Sequence, residues 1–241
     1  MAILDAGRTS RRGICGSLIP AILVALVPLA SPTWAAEPAF RSRVEAPDGS
    51  PVLDAVVSLV PVVPGAAPAV ASPPSPREAT MDQVGLAFVP HVLAVSVGTV
   101  VDFPNSDQVR HSIYSFSAAK QFEIKLYRGF EAPPITFDEP GLVVLGCNIH
   151  DHMLGFIYVL DTPLFAVSDE AGALEIPNVR AGRYRLELRH PRIDESIVLE
   201  REIELPAESP LTLTLGERPP PRPSSRQDVD PLQSLFGAPE R

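Results

Sequence analysis

The period of its apolar residues constrains this chain more than any other feature. Arg183-Tyr184-Arg185-Leu186-Glu187-Leu188 alternates strictly between polar and apolar side chains, the mark of a strand with one buried and one wet face. Short Val/Ile/Leu runs of this kind recur along the chain. Outside the N-terminal apolar run, no long window places apolar residues at i, i+3, i+4 and i+7. Twenty-eight prolines and fifteen glycines leave helices little further room. The fold class expected is all-β.

The N-terminus predicts export. Arg8, Arg11 and Arg12 precede an apolar run from Leu18 to Ala30, and Thr33-Trp34-Ala35 offers small residues at the minus-three and minus-one positions for cleavage before Ala36. That pattern is a signal peptide over residues 1–35, too short for a stable membrane anchor, and it predicts the periplasm. Ser10-Arg11-Arg12-Gly13-Ile14 partly fits a twin-arginine signal. Removing residues 1–35 deletes Asp5 and three arginines, taking the net charge from −9 to about −11, which disfavours nucleic acid and anionic membranes. It also removes Cys15, so Cys147 becomes the only thiol and no intramolecular disulfide can form. A lone thiol in an oxidising compartment is protected by burial or by a metal.

The surroundings of Cys147 favour the metal. Cys147-Asn148-Ile149-His150-Asp151-His152-Met153 follows the apolar run Gly141 to Gly146 and suits a ligand loop at a strand end. A trigonal copper site needs a thiolate and two imidazoles in plane with a weak thioether on the axis. Met153 can supply the thioether and His150 one imidazole. His91, His111, His152 and His190 are the candidates for the other. His111 stands out, because it follows the strand Thr99 to Phe103 and the loop Pro104 to Arg110 and then opens a new strand. His91 reads as a strand-surface residue and His190 as a solvated strand end. His152 reads as solvated or patch-forming, with a fifth ligand or a capture site for a second copper as the alternative, and Met81 reads as a core methionine.

Gly85 to Pro90, Val97 to Asp107, His111 and the Cys147-x-x-His150-x-x-Met153 spacing together resemble the cupredoxin family. The short loop is similar to that of amicyanin. The segment of residues 79–162 is also similar to exported cupredoxin-like proteins named for methylamine utilization. The resemblance implies a Greek-key β-sandwich with one copper ion per chain, held by His111, Cys147 and His150 with Met153 axial. It further implies an electron path through the edge of His150, in a patch with Leu154 and Phe156. Ser112 stands where cupredoxins commonly carry an asparagine that hydrogen-bonds the cysteine sulfur.

Ser168 to Tyr184 resembles the carboxypeptidase-regulatory-like or transthyretin-like sandwich, and Asp48-Gly49-Ser50-Pro51-Val52 leading into Ala55 to Leu59 is similar to that fold's opening hairpin. The expected organisation is a hairpin at 40–62, a Pro-rich linker at 63–78, the cupredoxin at 79–162, a second small β-sandwich at 163–216 and a disordered tail at 217–241 that contains the apolar island Leu232 to Phe236. The hairpin pairs either with the second sandwich or with the cupredoxin as extra strands.

The function expected is one-electron transfer to a redox partner with a basic docking face, drawn to the acidic surface. Copper storage or delivery is the alternative. An enzyme is not expected: five histidines cannot build a further copper cluster within one chain, and no nucleophile elbow, phosphate loop or zinc-protease motif is present.

Overall fold

The computed structural model describes residues 39–62, 77–193, 199–206 and 210–222. The signal peptide, residues 63–76 of the linker and the island Leu232 to Phe236 lie outside the described residues. The chain is all-β, and among the described residues there is no helix. No helix there is long and apolar enough to cross a membrane.

The chain opens with β1 (Phe40–Glu45) and β2 (Val56–Pro61). A central group follows: β3 (Glu78–Thr80), β4 (Asp82–Gln83), β5 (Phe88–Val89), β6 (Val92–Ser96), β7 (Thr99–Asp102), β8 (His111–Ser117), β9 (Lys120–Tyr127), β10 (Ile135–Phe137), β11 (Gly141–Cys147) and β12 (His150–Leu160). The last group is β13 (Phe165–Val167), β14 (Ala173–Ile176), β15 (Gly182–Arg189), β16 (Leu199–Leu205) and β17 (Leu211–Thr214).

In the central group a five-stranded sheet, β6-β12-β11-β8-β9, and a three-stranded sheet, β10-β7-β3, enclose one core. Met81, Val101, Phe137, Val143, Leu145 and Ile157 are fully buried there, so Met81 is a core methionine as its sequence context predicts. The first and last groups share a second core, which includes Val44, Leu59, Ile176, Leu186 and Leu188. β1 lies between β14 and β17, and β2 between β13 and β15, so residues 40–61 pair with the last group of strands.

The opening segment does not form a hairpin. Asp48-Gly49 makes the expected turn, with Gly49 N–H bonded to the Ala46 carbonyl and Asp48 accepting from Ser50. Beyond one bridge at Glu45 and Pro51, however, β1 and β2 belong to different sheets. Asp54, at a left-handed φ of 71°, lies in the crossing segment between them. Residues 217–222, expected to belong to the disordered tail, are instead ordered. They are held in place because Arg218 bonds Asp48 and Ser50, and Arg222 grips Asp54 with two hydrogen bonds of 2.8 and 2.6 Å.

β12 is buried on both faces. Its residues Met153, Ile157 and Val159 face the central core, while Phe156, Tyr158 and Leu160 pack with Val56, Phe165 and Val167. This explains why Gly155 to Leu160 reads as a continuous apolar run and not as an alternation.

Candidate metal centre

The ligand hairpin is β11-β12. Its ladder runs without a break from Gly141 opposite Val159 to Gly146 opposite Leu154, then slips so that Cys147 faces His150. The slip leaves Asp151, His152 and Met153 as extra residues on β12, a bulge that re-aims side chains at a strand end. Gly146 is required here by a close approach. It sits opposite Tyr114 of β8, and a Cβ at this position would lie 2.5 Å from the ring.

His111 arrives from the other side, at the start of β8. The loop before it is pinned by buried polar side chains. Asn105 donates to the carbonyls of Val109 and Tyr127, Gln83 donates to the Pro104 carbonyl and the Tyr127 hydroxyl, and that hydroxyl donates to Phe103. Asp82 accepts from the hydroxyl and the backbone N–H of Ser106.

Three ligand atoms converge as a result. His111 Nδ1 lies 3.1 Å from His150 Nδ1, and Cys147 Sγ lies 3.9 and 3.7 Å from these two nitrogens. The circle through these three atoms has a radius of about 2.1 Å, the bond length at which imidazole nitrogen and, slightly longer, thiolate sulfur hold such an ion. These three side chains are therefore spaced to hold one ion without rearrangement. Among the described residues, this is the only group of three or more His, Cys, Asp or Glu side chains that converges tightly enough to hold a metal. Met153 is 1% exposed and shares the core cluster of Cys147. Two imidazoles and a thiolate, with a buried thioether in the same core, are a donor set that suits copper.

The surrounding hydrogen bonds orient these ligands. His111 is fully buried, and its Nε2–H donates to Asp107 Oδ2 at 2.9 Å, which leaves Nδ1 as the free lone pair. Asp107 is itself fixed by the turn joining β4 to β5, where Gly85 and Leu86 both have positive φ and direct their N–H groups at its carboxylate, 2.6 and 2.9 Å away. Burial raises the Asp107 pKa, but the Leu86 N–H, His111 and the Gly85 N–H together outweigh it and hold the carboxyl below its usual range. Ser112 Oγ accepts from the Asn148 N–H at 3.0 Å and lies 3.8 Å from Cys147 Sγ, so its own hydrogen can point at the sulfur. Burial, together with the charges of His111 and His152, keeps His150 less basic than a free imidazole.

The remaining histidines depart from expectation. His91 is not a surface residue: its side chain is 11% exposed, set edge-on to Phe156 and 3.9 Å from Asp54. His190 is not solvated. It is buried, bonds the Leu53 carbonyl through Nε2 and accepts from the Arg192 N–H, and burial pushes its pKa down to about 4. His152 is half-buried beside His150, with no hydrogen-bond partner for its buried Nε2. Phe156 is 6% exposed and faces the packed strands of the last group, so it cannot form a surface patch with Leu154.

No family model and no curated protein matches the chain. Solved structures do. Similarity extends to a copper-containing nitrite reductase from Thermus scotoductus, at 33% identity over 34% of this chain, with a TM-score of 0.33. The chain spans only 22% of that reductase. A purple cupredoxin from Nitrosopumilus maritimus matches at 22% identity over 35% of this chain and 99% of its own, with a TM-score of 0.31. A reduced amicyanin variant matches at 20% identity over 43% of this chain and 98% of its own, with a TM-score of 0.33.

Sequence reasoning did not anticipate the roles of Asp107 and Tyr114. The acidic residue four positions before His111 was visible, but only the β4–β5 turn brings it into line with the ring. Nothing in the spacing signals that Tyr114 covers Gly146.

Proposed function

We propose that this chain is a cupredoxin-type copper protein that carries one electron at a time, exported to the periplasm. The observation that carries the proposal is the triangle of His111 Nδ1, His150 Nδ1 and Cys147 Sγ, with Met153 buried in the same core as Cys147. His111, Cys147 and His150 would hold one copper ion, with Met153 as the candidate for a further, weaker ligand. The ion supplies the Cu(I)/Cu(II) couple. The protein keeps that exchange from requiring rearrangement: Asp107 locks the His111 ring, Ser112 addresses the sulfur, and the Gly146–Tyr114 contact fixes the approach of Cys147. Preorganised ligands of this kind lower the reorganisation cost of electron exchange.

His150 is the half-buried and most accessible member of the set, since His111 is fully buried and Cys147 is 3% exposed. Electrons would enter and leave at its ring edge. Ile149 is exposed next to it, and a shallow groove lined by Tyr114, Phe116, Val144 and Leu154 runs along the sheet beside the hairpin. An apolar surface on an acidic chain suits a transient redox partner with a basic face, in salt-sensitive association. In this reading the chain is a carrier and not an enzyme.

Copper storage or delivery is the second reading. The unpartnered Nε2 of His152, one residue from Met153, favours it by offering a route for exchange. Visible and EPR spectra of the copper-loaded chain, with voltammetry, separate the two. An intense thiolate-to-Cu(II) band and a reversible couple support the carrier. A colourless protein that passes Cu(I) readily to a chelator supports delivery.

A further inference from the structure

Where the central strands meet the last group, Val56, Phe165 and Val167 pack against Phe156, Tyr158 and Leu160. Farther along β2 that apolar packing gives way to a cleft of about 590 Å³, bounded by the ends of β11 and β12 distant from Cys147 and by β2 and β15. Val60, Leu142 and Leu160 give it apolar walls, and Arg185, Glu187 and Arg189 line the side formed by β15.

The strand period explains how three charges reach one wall. Tyr184, Leu186 and Leu188 are buried in the second core, so Arg185, Glu187 and Arg189 share the opposite face of β15. Ser58 of β2 stands opposite Glu187, and Val60 opposite Arg185. Glu187 is 8% exposed and holds both arginines: Arg185 Nε donates to Oε1 at 3.0 Å, and Arg189 Nη2 donates to Oε2 at 2.7 Å. Each of these bonds uses one nitrogen of a guanidinium that carries five N–H groups. Two cations thus share one anion, which leaves the cluster one positive charge in excess. Asp161 at the cleft and Glu202 opposite Arg185 are exposed, and among the described residues neither forms an ion pair with these arginines.

Stability does not account for this arrangement. A largely buried ion cluster is at best neutral beside apolar side chains of the same volume, and the open space forfeits the contacts that close the rest of the seam. A cleft of this size at the junction of two cores, with apolar walls and a few converging polar groups, has the character of a small-molecule site.

We propose that this cleft binds a small organic monocarboxylate, with its carboxylate on the remaining N–H groups of Arg185 and Arg189 and its apolar body against Val60, Leu142 and Leu160. The guanidinium fork matches the geometry of a carboxylate. One excess charge balances a monoanion, whereas a phosphate dianion would overcompensate it beside Glu187 and Asp161. Gly141 pairs with Val159 and Cys147 with His150, so the cleft lies on the order of 20 Å along the hairpin from the thiol, and the site stands whatever Cys147 binds.

Benzoate is the probe, because it joins a carboxylate to a small apolar ring. Calorimetry on the full chain should show saturable binding of one benzoate. Benzamide, which keeps the shape without the charge, and inorganic phosphate should each bind at least about tenfold more weakly. Arg185→Gln and Arg189→Gln should each weaken benzoate binding by roughly tenfold or more. Arg41→Gln, which breaks a surface pair with Glu175, should leave it unchanged. In the wild type, with no substitution, benzoate should shift the NMR signals of the Arg185 and Arg189 Nε–H groups and leave that of Arg41 in place. The absence of saturable binding, benzamide or phosphate binding as tightly as benzoate, undiminished binding by either cleft variant, or unshifted Arg185 and Arg189 signals overturns the proposal.

Discussion

Asp107 Oδ2 stands 2.9 Å from His111 Nε2, on the side of the ring opposite the thiol. A carboxylate in this place fixes the tautomer and makes the ring a stronger donor, which favours the higher charge on a bound metal. Asp107→Asn keeps a hydrogen-bond acceptor but removes the charge. It should raise the reduction potential of the copper-loaded chain and weaken Cu(II) binding by about 10–100-fold. Voltammetry and competition with a chelator measure both effects.

Ser112→Ala should move the potential the other way. A hydrogen bond to thiolate stabilises the reduced ion by drawing charge from sulfur, and the variant loses that donor. The same change strands the Asn148 N–H, which now bonds Ser112 Oγ at 3.0 Å, at a cost of about 1–3 kcal/mol. A potential unchanged or raised by Ser112→Ala would show that the hydroxyl does not address the sulfur.

Gly146→Ala drives a methyl into the Tyr114 ring, 2.5 Å from the added carbon. Overpacking of this kind costs about 1–3 kcal/mol and should displace Cys147, the next residue. The visible spectrum of the copper-loaded variant should change, and adding Tyr114→Ala to open the space should restore it.

His190 makes stability depend on pH. Its ring is neutral in the fold and uses both nitrogens, so protonating Nδ1 breaks the bond from the Arg192 N–H. In the unfolded chain an ordinary imidazole takes up its proton near pH 6.5, whereas in the fold the pKa is about 4. Above pH 6.5 neither state is protonated and the group has no effect. As pH falls from 6.5 to 4 the unfolded state alone gains the proton, and stability drops by on the order of 3 kcal/mol before levelling off. Denaturant melts across this window should be steeper in pH for the wild type than for His190→Gln.

Phe156→Ala removes a ring packed against His91 and the strand of Val56. A loss of about 3–5 kcal/mol is expected, typical of a buried phenylalanine. Calorimetry should also show the central strands and the rest of the chain melting less cooperatively, because this contact is part of what joins them.

The strands and the ligand motif were legible because they depend on local pattern. Alternation along Arg183 to Leu188 predicts β15, and the Cys147-x-x-His150 spacing predicts a turn that brings those two side chains together. What was not legible depends on which surfaces meet. Phe156 was expected in a surface patch, His91 on a strand surface and His190 in solvent, and each is covered by residues distant in sequence. Arg218 and Arg222 look like tail residues until Asp48 and Asp54 come within reach. Asp107 needs a turn of two left-handed residues, one of them Leu86, and a leucine gives no hint of such a conformation.

The register slip in the β11-β12 ladder is confined to the single step after Gly146. Everything on the other side of that step, from Leu145 opposite Gly155 to Gly141 opposite Val159, keeps its pairing whatever the length of the segment between Cys147 and Leu154. The hairpin tip is therefore an interchangeable cartridge. Segments of other lengths, with other donors at the third and sixth positions after the cysteine, could be spliced in while the sheet beneath them stays as it is.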